Sequence, residues 1–205
     1  MIDAIYKAII QILVFTSIPF LVYLIQKKSV KGFFDYIGLK KSTKRANSFA
    51  IIACLIFAAP LMVLTLASDD FKEMMFSPNS LAGKFREMGL SINSIAILLV
   101  TAIFKTSFAE EILFRGFVAK RLISTLGFVK GNLLQASIFG IIHTILFALI
   151  TKNPIFLTVI FLIPSIGAYI SVILNEKLGN GSIVPGWISH GLANVLSYSF
   201  VGFVI

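Results

Sequence analysis

Three short polar constellations stand inside stretches otherwise apolar enough to sit in a lipid bilayer: Glu110-Glu111-x-x-x-Arg115, Phe139-x-x-x-His143 and His190-x-x-x-Asn194. The chain has 2 histidines, and both fall in these constellations. A carboxylate and an imidazole held away from bulk water can take a proton from a water molecule and later return it. An imidazole and a carboxamide on one helix face can both donate hydrogen bonds to developing negative charge. A charge at membrane depth costs about 2.5 to 3.5 kcal/mol on insertion scales, so an ionisable side chain placed there is a functional signal in its own right.

Helical spacing divides the labour. Residues four apart share a face, so Glu111 is expected to pair with Arg115, the acid preceding the base in the favourable order. Glu110 then points about 100° away around the helix, free for chemistry. His190 and Asn194 share a face in the same way, and Phe139 lies one turn before His143, where it can wall the imidazole. Each pattern alone has a plainer reading. A Glu-Glu-x-x-x-Arg run is common on solvated helices, Phe139 alone is core packing, and a lone membrane histidine or asparagine commonly makes an interhelical hydrogen bond worth about 0.6 kcal/mol. What raises the three above coincidence is that they recur on separate spans at matched depth.

Hydrophobic residues make up 58% of the 205-residue chain and charged residues 13%, with mean hydropathy +0.95. This is the composition of a polytopic, all-α membrane protein. Apolar runs near the roughly 20 residues needed to cross a bilayer fall at about 4–26, 48–67, 91–122, 132–150, 155–174 and 185–205. A single membrane domain of about six spans is expected, with residues 1–90 supplying two amino-terminal spans and 91–205 the motif-bearing core. At 1.5 Å per helical residue, Glu110 lies ~15 Å from Lys120, His143 ~17 Å from Asn132, Asn194 ~14 Å from Pro185, and His190 ~8 Å from Pro185. The third run is too long for the hydrocarbon layer and must tilt, kink or protrude.

The basic stretch Lys27, Lys28, Lys31, Lys40, Lys41, Lys44 and Arg45 places the first loop in the cytoplasm and the amino terminus outside. The nearly neutral 68–90 loop then lies outside, and Lys120, Arg121 and Lys130 lie inside. The formal charge of +9 is therefore accounted for by membrane topology and does not point to nucleic acid. The single Cys54 excludes a disulfide framework and a cysteine-based zinc site. Lys105 lies within an apolar run and must snorkel or face a wet cavity. The amino-terminal apolar run is read as the first span, since it is longer than a signal-peptide core and no small-x-small site follows.

The three motifs, in this order, resemble those of the CPBP intramembrane proteases, also called the Abi family, which include CAAX prenyl endopeptidases and proteins of bacteriocin processing or self-immunity. Every motif position is matched, over roughly residues 91–205. The resemblance implies hydrolysis of a peptide bond in a membrane-associated or lipid-modified peptide, at a site open to the cytoplasmic side of the cell membrane. It implies Glu110 as general base, His143 as the residue orienting the water, His190 and Asn194 as donors to the oxyanion, and Glu111 and Arg115 as structural support. Two histidines and a glutamate also match many hydrolytic zinc sites, so zinc held by Glu110, His143 and His190 is the competing expectation, although no H-E-x-x-H helix exists. Two non-hydrolytic alternatives are a self-immunity or scaffold protein and a proton-coupled transporter; the latter would need paired broken helices, which the sequence lacks.

Overall fold

The computed structural model describes residues 1–205 and consists of helices and their connections. The helices are α1 (Ile2–Lys27), α2 (Phe33–Tyr36), α3 (Lys44–Ala67), α4 (Asp69–Phe76) and α5 (Leu81–Met88), then α6 (Ile92–Leu126), α7 (Phe128–Ala148) and α8 (Pro154–Leu178). The last, α9, runs over Val184–Ser199 and continues through Phe200–Val204. Their ends follow local chemistry. Thr43, Ser68 and Ser80 each accept a hydrogen bond from the first turn of the helix they open, and Ser91 and Ser94 form a reciprocal capping box at the start of α6. Asn153 caps α8, with Pro154 at the first helical position. Gly127, at φ +78°, turns the chain between α6 and α7.

Burial is inverted relative to a water-soluble protein. Glu111, Asn132, Gln135 and Ser189 are fully buried, whereas Ile2, Ile25, Leu66, Leu149 and Ile155 are exposed. Polar groups that satisfy one another inside and aliphatic groups outside are what a hydrocarbon solvent selects. Five helices (α1, α3, α6, α7 and α8) are long and apolar enough to cross a membrane. Helix α9 falls outside that set because it carries Ser189, His190, Asn194, Ser197 and Ser199; with its continuation through Val204 it is long enough to be a sixth span.

The overlong third run is one helix, α6, of 35 residues. Two of its stretches, Val100–Phe108 and Glu111–Ala119, are wound as π-helix, with i→i+5 hydrogen bonds. Ala109 and Glu110 form the joint between them. Such widened turns re-aim side chains relative to an α-helix and concentrate at functional sites. The charged pair thus sits where the helix changes its winding.

The end of the bundle bearing the basic loops is closed. Phe33 and Ile37, in and just after α2, pack with Tyr23, Ile112 and Ile183. The backbone N–H of Ile183 donates to Gly38 O at 2.9 Å, Thr43 Oγ1 donates to Leu178 O at 2.8 Å, and Ser182 Oγ donates to Lys40 O at 2.6 Å. Lys120 Nζ joins Glu176 at 2.5 Å and Gly181 O at 2.8 Å.

Candidate active site

Helices α6, α7 and α9 bring the three motifs to one cavity of about 440 Å³, whose wall includes Glu110, Arg115, Phe139, His143, His190 and Asn194. Glu111 is fully buried behind that wall. All seven residues singled out by spacing therefore belong to one place. Lys105 is half-buried on α6 and lies outside the cavity wall.

The two glutamates have different surroundings. Glu111 Oε1 lies 3.3 Å from Arg115 Nε and 3.2 Å from His190 Nδ1, so the acid expected to be neutralised by Arg115 alone also holds the third motif. The Arg115 guanidinium sits 4.1 Å from the centre of the Phe139 ring, a cation–π contact that adds to the ion pair. Glu110 Oε2 has no hydrogen-bond partner and lies 3.8 Å from His190 Nε2. A buried carboxylate oxygen without a partner costs free energy unless something else occupies the space it faces.

The histidines are oriented by their other nitrogen. His143 Nδ1 lies 2.9 Å from Phe139 O. A carbonyl only accepts, so Nδ1 carries the proton and Nε2 is left as an acceptor. His190 Nδ1–H donates to Glu111 in the same sense, which directs Nε2 toward Glu110. Phe139 stands between them, 4.4 Å from the His143 ring centre and 6.0 Å, edge-on at 86°, from that of His190.

Asn194 lies on the cavity wall with its amide turned to α6. Its Nδ2 donates to Thr106 Oγ1 at 3.1 Å and to Ser107 Oγ at 3.2 Å. Each hydroxyl spends its own proton on a carbonyl of the preceding turn of α6, so both accept from Asn194 and its two donors are engaged. The amide thereby ties α9 to α6.

Four neighbours escaped sequence reasoning. Thr106 and Ser107 precede Glu110 and Glu111 by four residues, and this spacing was the available signal. Gly186 has no such signal: its backbone N–H donates to Asn175 Oδ1 at 2.7 Å, and a Cβ there would collide with Glu111 Oε2. Asn175, fully buried in α8, becomes visible only once α8 and α9 are packed.

Glu110, His143 and His190, the three zinc candidates, do not form a group of side chains close enough together in this structure to hold a metal ion. The cavity is lined by residues of all three motif helices and of the segment that precedes α6. Its wall runs from the motif residues past Leu146 of α7, Ile150 just beyond that helix and Ile160 of α8 to Asn79 and to Leu81 at the start of α5. Contacts among Gly38, Lys40, Glu176, Gly181 and Ile183 pack the end that bears the basic loops.

A family model described as type II CAAX prenyl endopeptidase Rce1-like matches residues 92–196, a segment that opens with α6 and ends two residues beyond Asn194. The chain belongs to this Rce1-like family. The match covers all three motifs and just over half of the sequence. No curated protein and no solved structure matches the chain. Membership in the Rce1-like family and the five apolar helices together make this an integral membrane protein of a protease family.

Proposed function

We propose that the protein is an intramembrane endopeptidase that hydrolyses a peptide bond in a membrane-associated or lipid-modified peptide, using water activated by Glu110 and His143 without a metal ion. The observation that carries this reading is that Glu110 shares the wall of one cavity with His143 and His190, its Oε2 3.8 Å from His190 Nε2.

A water molecule between the Glu110 carboxylate and His143 Nε2 loses a proton to Glu110 as its oxygen attacks the carbonyl carbon. The carbonyl π pair moves to oxygen, and the resulting oxyanion faces His190 Nε2–H when that imidazole is doubly protonated. Glu111 accepts the hydrogen bond from Nδ1 and compensates the imidazolium charge. Collapse of the tetrahedral species reforms C=O, breaks the C–N bond and sends the proton held by Glu110 to the leaving amine. General base catalysis of this kind contributes about 10² to 10⁴ in rate, and one oxyanion donor about 10² to 10³. Asn194, Thr106 and Ser107 position α9 against α6, so that the oxyanion donor and the base face the same carbonyl.

The test is a comparison of peptide masses in membranes and medium of cells carrying the wild type or Glu110→Ala. A peptide pair whose longer member accumulates only with the variant identifies activity and substrate together. Identical peptide profiles, with both proteins folded and present, contradict the reading.

A further inference from the structure

Residues 69–88 precede the family match and read in the sequence as a loop, yet they build the far end of the cavity. Phe71 of α4 packs on Phe156 of α8 with ring centres 4.8 Å apart, and Phe156 lies 5.5 Å from Phe147 of α7. At the other side Phe85 of α5 stacks on Tyr198 of α9 at 5.9 Å, and Met75 and Ala82 pack with Val201. The pair of helices is thus anchored on α8 and on α9, and the 77–80 turn joining them crosses the space between. That turn is stiff. Ser80 Oγ donates to Met75 O at 2.8 Å and accepts from Gly83 N at 2.9 Å, and Gly83 packs so tightly against Ser77 O that a Cβ has no room.

From His143 to Phe147 the cavity follows one turn of α7, ~6 Å at the helical rise, and reaches Ile150 just beyond the helix. Over that length the wall is mainly aliphatic and aromatic: Phe57, Leu61, Leu146, Phe147 and Ile160. Such a wall favours hydrocarbon over a charged group, although Asn79 and Ser80 add polar atoms beside Leu81. We propose that the α4–α5 hairpin is a length gauge: its half-buried Leu81 forms the end wall against which an aliphatic segment of the substrate abuts when the scissile bond lies between Glu110 and His190. The segment is hydrocarbon, supplied either by a lipid chain on the substrate or by aliphatic residues beside the bond. This rests on the protease reading for the position of the bond, but the end wall is a separate claim about binding.

The experiment uses the full-length protein in liposomes, as wild type, Leu81→Ala and Leu81→Trp. One set of fluorogenic peptides carries a cysteine thioether from hexyl to hexadecyl; a second has no alkyl group and an increasing number of leucines beside the bond. The optimum moves to a longer member in Leu81→Ala and to a shorter one in Leu81→Trp, with about tenfold lost at the former optimum. The set that responds identifies the source of the hydrocarbon. An unchanged optimum in both sets for Leu81→Ala overturns the gauge, whether or not Leu81→Trp folds. The same peptides are also scored by the rise they cause in unfolding temperature. If nothing is cleaved, the protease reading fails while a length optimum in that rise that moves with Leu81→Ala still supports the gauge. A rise that is independent of length, or absent for every peptide, overturns it.

Discussion

Glu111 Oε1 lies 3.2 Å from Nδ1 of His190, so the first and third motifs are joined by a buried contact that also includes Arg115 at 3.3 Å. Neighbouring glutamates consequently have opposite roles. Glu111 is fully buried with its Oε1 shared between Arg115 and His190, whereas Glu110 stands on the cavity wall.

Removal of Glu111 strands a buried guanidinium. Breaking one side of a buried ion pair costs about 3 to 5 kcal/mol, whereas replacing both partners by apolar groups of similar size is often near neutral. Glu111→Leu is therefore expected to lower the unfolding temperature sharply in detergent, and Glu111→Leu with Arg115→Met to recover most of it. Neither variant should recover hydrolysis, because His190 has lost its orienting acceptor. Equal unfolding temperatures for wild type and Glu111→Leu would contradict the pairing.

Gly186→Ala gives a second structural test. Alanine is the better helix former by about 1 kcal/mol, and on propensity alone the change should stabilise α9. Its Cβ, however, collides with Glu111 Oε2 and crowds Asn175, and such overpacking costs about 1 to 3 kcal/mol. Thermal unfolding should show net destabilisation; a more stable Gly186→Ala would place Glu111 elsewhere.

Thr106→Val preserves shape but removes one acceptor from Asn194, leaving Ser107. A lost hydrogen bond of this kind is worth about 1 kcal/mol, so kcat should fall about fivefold with little change in KM. Thr106→Val with Ser107→Ala leaves the amide without either acceptor and should cost more than the sum of the single changes. Strict additivity, measured on purified protein, argues against a shared role.

Chelation separates the two hydrolytic readings. Glu110, His143 and His190 form no three-ligand cluster, so exhaustive treatment with a chelator should leave the hydrolysis rate of purified protein unchanged. Loss of activity with the chelator, restored by added zinc, would establish the metal version.

The motif residues were legible because helical periodicity and bilayer thickness are strong constraints. Spacing of four put His190 beside Asn194 and Glu111 beside Arg115, and depth along each span aligned the three motifs before any contact was known. Other features depend on packing between segments distant in sequence. The two acceptors of Asn194 lie 87 and 88 residues away, so its tie to α6 could not be read from spacing within α9. Gly186 is explained only by the carboxylate opposite it. The 68–90 loop looked featureless because its helices are short and polar on one face, yet Phe71, Met75 and Phe85 bury the other face against the bundle. The packing at the basic end was likewise hidden, since it is made largely by backbone groups of Gly38, Gly181 and Ile183.

The most direct measurement compares peptide hydrolysis by purified wild type and Glu110→Gln in the presence of chelator, alongside their unfolding temperatures. The isosteric amide keeps the shape of a side chain whose Oε2 has no partner, so stability should change little while the rate falls at least about 100-fold. A folded Glu110→Gln that hydrolyses within a few-fold of wild type would show that the base lies elsewhere.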